Sequence, residues 1–319
     1  MEQVICNLCK SDSPHLLFQL PDLLLGREEG LSTLVRCRVC GLIYQNPRPT
    51  PSEMPAHYPP EYESYVNPGE GREVAPLLQQ AYRYGMDKRC RYVTRVKSGG
   101  RILDVGCATG LFLLNMRRQP GWEVHGVEIS PHAAAIARQQ GLDVFTGDLE
   151  EAQFAGASFD VITMWDVFEH LHDPAASLAE IRRVLKPDGL LLLRVPNEGS
   201  WDARIFGRYW AGYDAPRHLY IFDRRTLTEM LARNGFTTVS ASCGIGSYPT
   251  FVLSVRFWLR ARGTPPDRQG RVARLLYHPL MRLLTAPLFY LYGLGLRGPL
   301  LVVTARPSAG MDVRGNEAP

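Results

Sequence analysis

No stretch of about 20 uninterrupted apolar residues occurs in these 319 residues. The most apolar segment, 275–296, is broken by His278, Pro279, Arg282 and Pro287, which argues against a membrane-spanning helix. The opening MEQVICNLCKSD lacks the basic region followed by an apolar one that a secretory signal needs, so the cytoplasm is the expected compartment. Cysteines number only seven, and four of them fall in two Cys-x-x-Cys pairs, which points to metal ligation in a reducing compartment and away from a disulfide framework. Acidic residues are nearly missing from 251–310, where nine arginines face the single acid Asp267. The net charge of the whole chain is only +4, so the rest is slightly acidic. Such asymmetry marks either a solvated basic face or a surface for phosphates and anionic lipid. Repeats and low-complexity tracts are absent, while 45% hydrophobic and 21% charged residues are ordinary globular proportions that exclude a disordered chain.

Cys6-Asn7-Leu8-Cys9 and Cys37-Arg38-Val39-Cys40-Gly41 are separated by 27 residues rich in turn formers. Each pair lets two thiolates converge on one ion, and two pairs complete a closed tetrahedral zinc site with no open coordination position. Cys6, Cys9, Cys37 and Cys40 are therefore expected to hold a structural zinc in a ribbon domain over residues 1–46. Residues 47–76, dense in proline and tyrosine, read as a linker or a substrate-side flap. A charged and aromatic helix is predicted from Leu77 to Val96, stopped by Ser98-Gly99-Gly100.

Beyond Arg101, strand and helix signals alternate: ILDVG, EVHGVEI, LDVFTGD, FDVITMW and LLLLRV are apolar runs rich in branched residues, with helical stretches between them. This series predicts an α/β fold, a parallel sheet flanked by helices. Strand Ile102–Val105 runs into Gly106-Cys107-Ala108-Thr109-Gly110, where glycines permit close backbone approach to a ligand. Glu128 ends the second strand, 24 residues beyond Asp104, at the spacing where an acid can hydrogen-bond ribose hydroxyls.

The segment Asp104 to Gly110 resembles the first motif of the class I S-adenosylmethionine (SAM)-dependent methyltransferases, with Ala108 standing where the commonest version has a middle glycine. The resemblance covers roughly residues 80–245 and the final strand near Leu300–Thr304, and is nearest to the ubiquinone-biosynthesis O-methyltransferases and to bacterial methyltransferases with an N-terminal zinc ribbon. It implies a seven-stranded, mostly parallel Rossmann-like sheet with helices on both faces. Within it, Glu128 matches the acid that holds the SAM ribose, Gly147-Asp148-Leu149 the segment that receives adenine, Trp165-Asp166-Val167-Phe168-Glu169-His170 the stretch after the fourth strand, and Leu185-Lys186-Pro187-Asp188-Gly189 the turn before the fifth. The resemblance thus assigns Asp104, Gly106, Cys107, Gly110, Glu128, Ile129, Asp148, Leu149 and Asp166 to the cofactor. Asp148 and Asp166 could instead simply cap local turns.

Methyl transfer needs in-line positioning and, for a hydroxyl, removal of a proton. His170 and His218 are the candidate bases, the alternative being that each satisfies a loop carbonyl. Asp214-Ala215-Pro216-Arg217-His218-Leu219 resembles a recurrent feature of bacterial zinc-ribbon methyltransferases acting on glycans, lipids or other small metabolites. The expected organisation is a zinc ribbon over 1–46, a linker or flap over 47–76, a SAM-binding domain over 77–246, an apolar, arginine-rich insert over 247–297, a last strand over 298–306 and a disordered tail over 307–319. The insert reads as a lid or as helices lying on the inner face of the membrane. Competing readings are an RNA methyltransferase, disfavoured because Trp165-Asp166-Val167-Phe168 is not an Asn/Asp-Pro-Pro-aromatic motif, an NAD-dependent oxidoreductase, and a non-catalytic binding module that keeps the fold.

Overall fold

The two Cys-x-x-Cys turns bracket a hairpin in the computed structural model, which describes residues 1–58, 76–243 and 247–308. Strands β1 (Pro14–Asp22) and β2 (Arg27–Cys37) pair antiparallel. The turn between them is held by the Asp22 carboxylate, which accepts the Leu25 N–H at 2.9 Å. After the second Cys pair, β3 (Ile43–Gln45), buried at all three positions, adds to β2. A two-residue strand from far downstream, Tyr220–Ile221, completes this sheet by pairing with β3 in the register Ile43 to Ile221 and Tyr44 to Tyr220. Of the linker or flap expected over 47–76, residues 59–75 lie outside the described residues, as do residues 309–319 of the expected tail.

The predicted alternation is present from α1 (Pro76–Thr94) onward: β4 (Gly100–Val105), α2 (Leu111–Met116), β5 (Trp122–Glu128), α3 (Pro131–Gln139), β6 (Asp143–Thr146), β7 (Phe159–Trp165), α4 (Pro174–Val184) and β8 (Leu185–Pro196). The chain continues through α5 (Trp201–Phe206), β9 (Tyr220–Ile221), α6 (Arg224–Arg233), β10 (Phe236–Ser242), α7 (Ser247–Ala261), α8 (Pro266–Tyr277), α9 (Pro279–Leu294) and β11 (Leu300–Pro307). Seven strands form one sheet in the order β10-β11-β8-β7-β4-β5-β6, and β4/β5, β4/β7, β5/β6 and β7/β8 all pair parallel. Ile102, Leu103, Val161, Ile162, Leu191, Leu192 and Leu193 are fully buried, as strands covered on both faces require. Local chemistry sets the helix starts. Ser130 accepts the Ala133 N–H ahead of Pro131, and Asp173 accepts the Ala175 and Ala176 N–H groups ahead of Pro174. Because β4 is neighboured by β5 on one side and β7 on the other, the chain reverses its progress across the sheet there, leaving a crevice at the carboxyl ends of these strands.

Contacts gather the chain into two compact units. One comprises Met1–His57, Val195–Glu229 and Ala241–Val302; the other is built on Tyr58–Arg194 with Met230–Ser240 and the end of β11. The insert between β10 and β11 is three helices, with Pro287 inside α9, knitted by edge-on contacts of Phe289 with Tyr248 at 5.0 Å and with Phe251 at 5.4 Å between ring centres. Among the described residues no helix is long and apolar enough to cross a membrane.

Asp202, on the short α5, is fully buried and neither carboxyl oxygen has a hydrogen-bond partner among the described residues. Burial pushes its carboxyl up to about 7. The unfolded chain releases this proton near about pH 4, so between about pH 4 and 7 the native state binds more protons than the unfolded one. Stability therefore declines as pH rises through that window and is level above it. Asp202→Asn is expected to stabilise the protein more at pH 8 than at pH 5, by about 2–3 kcal/mol, in urea unfolding. Parallel pH dependence in the two proteins would refute this.

Candidate functional site

The knuckles are built alike. In the first, the Lys10 N–H donates to the Cys6 carbonyl at 2.8 Å; in the second, the Gly41 N–H donates to the Cys37 carbonyl at 2.9 Å. Both turns close on a left-handed residue, Lys10 at φ 60° and Gly41 at φ 78°. This geometry aims the sulfurs inward, and the four Sγ atoms of Cys6, Cys9, Cys37 and Cys40 lie within 4.8 Å of one another. Cys6 and Cys40 are 3.4 Å apart and Cys9 and Cys37 3.5 Å, near the edge of about 3.8 Å that a tetrahedron of thiolates at about 2.3 Å from a zinc ion would have. Burial works against ionisation of Cys37, but the N–H groups of Cys40 and Val39 outweigh it and bring that thiol down to about 7. Burial holds Cys6 up at about 11. The donor set and its spacing fit a four-thiolate ion.

At the crevice, β4 delivers Asp104 and then a turn with three left-handed residues: Gly106 at φ 72°, Ala108 at 49° and Gly110 at 82°. A Cβ on Gly106 would meet the Val167 side chain at 2.5 Å, so that approach is open only to glycine. Gly106 and Cys107 donate their N–H groups to the Val127 carbonyl of β5, at 2.8 and 3.1 Å. The turn is tied a second time through Glu128. Its two carboxylate oxygens accept the Ala108 and Ser130 N–H groups, each at 2.8 Å. Glu128 is buried with no cation beside it among the described residues, and burial raises its affinity for a proton. Asp104 is likewise buried, accepts the Thr163 hydroxyl at 2.6 Å and is pushed by burial up to about 7. Each Glu128 oxygen keeps a lone pair beyond its backbone bond, which is what a pair of ribose hydroxyls would engage. Ile129 is exposed next to it, whereas Cys107 is buried.

Gly147 donates its N–H to the Glu128 carbonyl at 3.0 Å, bringing the segment after β6 alongside. There Asp148 accepts the Glu151 N–H at 2.8 Å while Glu151 accepts the Asp148 N–H at 3.1 Å, with Leu149 buried beneath. Asp166, left-handed at φ 61°, is held by Arg194, whose Nε lies 2.8 Å from one carboxylate oxygen and whose Nη2 reaches the other. Arg89 stands 3.6 Å away, and both arginines lie over the Trp165 ring. His170, in a short turn after β7, places Nδ1 2.8 Å from the Tyr58 hydroxyl. His218 belongs to the other unit, where it is buried with Nδ1 2.9 Å from the Gly212 carbonyl. A carbonyl oxygen only accepts, so that bond places a proton on Nδ1, while Nε2 lies 3.9 Å from an Asp214 carboxylate oxygen.

The family profile described as a methyltransferase domain matches residues 77–241, just over half of the chain. The chain belongs to the class I SAM-dependent methyltransferases. A ubiquinone biosynthesis O-methyltransferase of Cereibacter sphaeroides is 37% identical over 186 residues, which are 51% of this chain and 75% of that protein. A malonyl-acyl-carrier-protein O-methyltransferase of Serratia marcescens is 32% identical over 126 residues, 39% of this chain and 48% of the relative. In fold alone, the methyltransferase is similar to the crystal structure of the cyclase SpnF, with a TM-score of 0.50 and 23% identity over 83% of this chain and 99% of that one.

Several residues of the methyltransferase were not singled out by sequence reasoning. Arg217 is fully buried and clamps two carboxylates, Asp22 at 2.8 and 2.7 Å and Asp214 at 3.0 and 2.7 Å. It thereby locks the β1 end of the ribbon hairpin to the segment carrying His218. Nothing local signals a pair separated by 195 residues. Tyr58 and Arg194 were missed for the same reason, since each meets its partner only through the fold.

Proposed function

We propose that the methyltransferase transfers the methyl group of SAM to a hydroxyl of a small-molecule, glycan or lipid-linked substrate in the cytoplasm. The observation that carries the cofactor assignment is Glu128: a buried carboxylate at the tip of β5, without a counter-cation among the described residues, that holds the Gly-rich turn by its backbone. Asp104, Gly106, Cys107 and Gly110 would shape the pocket, Glu128 and Ile129 would meet the ribose, and Asp148 and Leu149 the adenine. Asp166, engaged by Arg194, would border the same crevice from β7. When bound, SAM supplies an electrophilic methyl on a sulfonium, so the chain has only to align the acceptor and take its proton. Both named relatives are O-methyltransferases, which favours an oxygen acceptor.

For the proton, His218 is the first candidate, because donation of its Nδ1–H to the Gly212 carbonyl fixes the orientation of the ring. His170, bonded to Tyr58, is the second. Cys6, Cys9, Cys37 and Cys40 would hold a zinc ion whose role is structural, all four positions being thiolates. Peripheral contact with the inner membrane face through 247–297 belongs with this reading and is argued below.

Calorimetric titration with SAM and S-adenosylhomocysteine tests the cofactor part: micromolar binding is expected, and a folded protein that binds neither is a non-catalytic module. Once an acceptor is found, His218→Asn should lower kcat by about 10²–10⁴ with SAM affinity intact, the range for loss of a general base. Full activity in both His218→Asn and His170→Asn would show that no histidine base is used.

A further inference from the structure

The insert helix α9 is apolar round most of its circumference, and among the described residues only one side is packed. Met281, Thr285, Phe289 and Tyr292 fall together on a helical projection and are partly buried, with Phe289 against Tyr248 and Phe251 of α7. At about 100° per residue, Leu280, Leu283, Leu284, Pro287, Leu288 and Leu291 fall on a separate arc, roughly 140° wide and centred about 130° from the packed side. The five leucines are 46–73% exposed, and Tyr290, at the edge of the arc, is 69% exposed. No charged residue interrupts this arc, because Arg282 projects from the other side, over the Tyr248 ring. Single exposed leucines are ordinary, but a continuous stripe of them marks a surface that meets something apolar.

The neighbouring helix identifies what that is. α8 joins α9 through the single residue His278 and presents Arg268, Arg271 and Arg274 to solvent, with Leu275 exposed among them. Asp267, the only acid between 251 and 310, is taken by Arg271 at 3.0 Å, so Arg268 and Arg274 have no acid in the insert to neutralise them. We propose that the exposed leucine face of α9, together with the arginines of α8, docks the protein onto an anionic lipid surface. A second copy of the chain would complement the leucines but offers no acid in its own insert beyond Asp267, which Arg271 already takes, to meet the arginines. Anionic headgroups complement both features, and an apolar helix next in the chain to an arginine-rich one, with tyrosine at its margin, has the composition of helices lying in the interface. With 16 residues, α9 is about 24 Å long, too short for the roughly 30 Å hydrocarbon core. It therefore lies along the bilayer surface. This inference deepens the membrane-contact part of the function proposed above, and methyl transfer can fail without it.

The test is co-sedimentation of the full-length protein with vesicles of phosphatidylcholine alone and of equimolar phosphatidylcholine and phosphatidylglycerol, with SAM titration on the same samples. The wild type is expected to pellet with the anionic vesicles and much less with the neutral ones. Leu283→Glu/Leu284→Glu, on a solvent-facing arc, should lower the partition coefficient at least tenfold while SAM binding stays normal, and Arg268→Ala/Arg274→Ala should weaken binding and flatten its dependence on salt. Retention of the wild type in the supernatant with both vesicles, or unchanged binding by the glutamate pair, would overturn the proposal. So would a dimer in light scattering that the glutamate pair abolishes, without vesicle binding, which would assign the face to a second copy.

Discussion

Glu128→Ala is expected to weaken SAM binding by at least about a hundredfold. Hydrogen bonds to a charged acceptor contribute about 1.5–3 kcal/mol each, and two ribose hydroxyls on one carboxylate exceed the roughly 2.7 kcal/mol that a hundredfold change requires. The substitution also strips the acceptors from the Ala108 and Ser130 N–H groups, loosening the turn that the cofactor meets. Glu128→Gln separates the two effects. An amide side chain keeps one oxygen to accept a backbone N–H but loses the charge and one acceptor, so its SAM affinity should fall between those of the wild type and the alanine variant. Calorimetry on all three reads this directly. Wild-type affinity in the alanine variant would show that the cofactor is held elsewhere and that Glu128 only braces the turn.

The catalytic sheet was legible because its central strands are buried on both faces and therefore write continuous apolar runs into the chain, as in Val161–Met164 and Leu190–Leu193. The acids were legible because they sit at the ends of those runs. Ala108 is more instructive. The motif departs from glycine at the position the structure places at φ 49°, so the departure marks a strained residue, costing on the order of 1 kcal/mol relative to glycine, and not a misplaced motif. The turn expected at Lys186–Gly189 is drawn into β8, where Phe159 pairs with Leu185 and Val161 with Leu190, so the four residues 186–189 bulge out opposite one. Less legible were features that exist only through long-range pairing. A two-residue strand such as β9 has no periodicity to detect, and the Asp22, Arg217 and Asp214 clamp joins charges that look solvated in sequence. The faces of α9 were illegible for the opposite reason: apolar side chains on both arcs, leucines on one and Met281, Phe289 and Tyr292 on the other, give no clue to which side packs.

Removing the zinc should cost methyl transfer much more than it costs cofactor binding. Purified protein is expected to carry one zinc per chain by elemental analysis, and either chelation or Cys37→Ser should release it. Structural zinc sites of this kind contribute on the order of 10–16 kcal/mol to the fold of their own domain, so the ribbon is expected to melt. What it takes with it follows from the sheet. Cys40 leads within three residues into β3, and β3 pairs with β9 immediately after His218, while the Gln45 N–H donates to the Leu219 carbonyl at 2.9 Å. Arg225, just past β9, donates to the Cys40 carbonyl itself at 2.6 Å. With β1 also clamped through Asp22 and Arg217, the His218 segment is held on two sides by the ribbon. Loss of the metal should thus lower kcat at least about tenfold by releasing the proposed base, the penalty expected when a catalytic group is mispositioned. The residues assigned to SAM all lie in the other compact unit, so the Kd for SAM should stay within about twofold, a change of only about 0.4 kcal/mol. A parallel collapse of SAM affinity and turnover would instead make the ribbon a support for the whole chain, and protein that is folded and active without metal would end the zinc assignment.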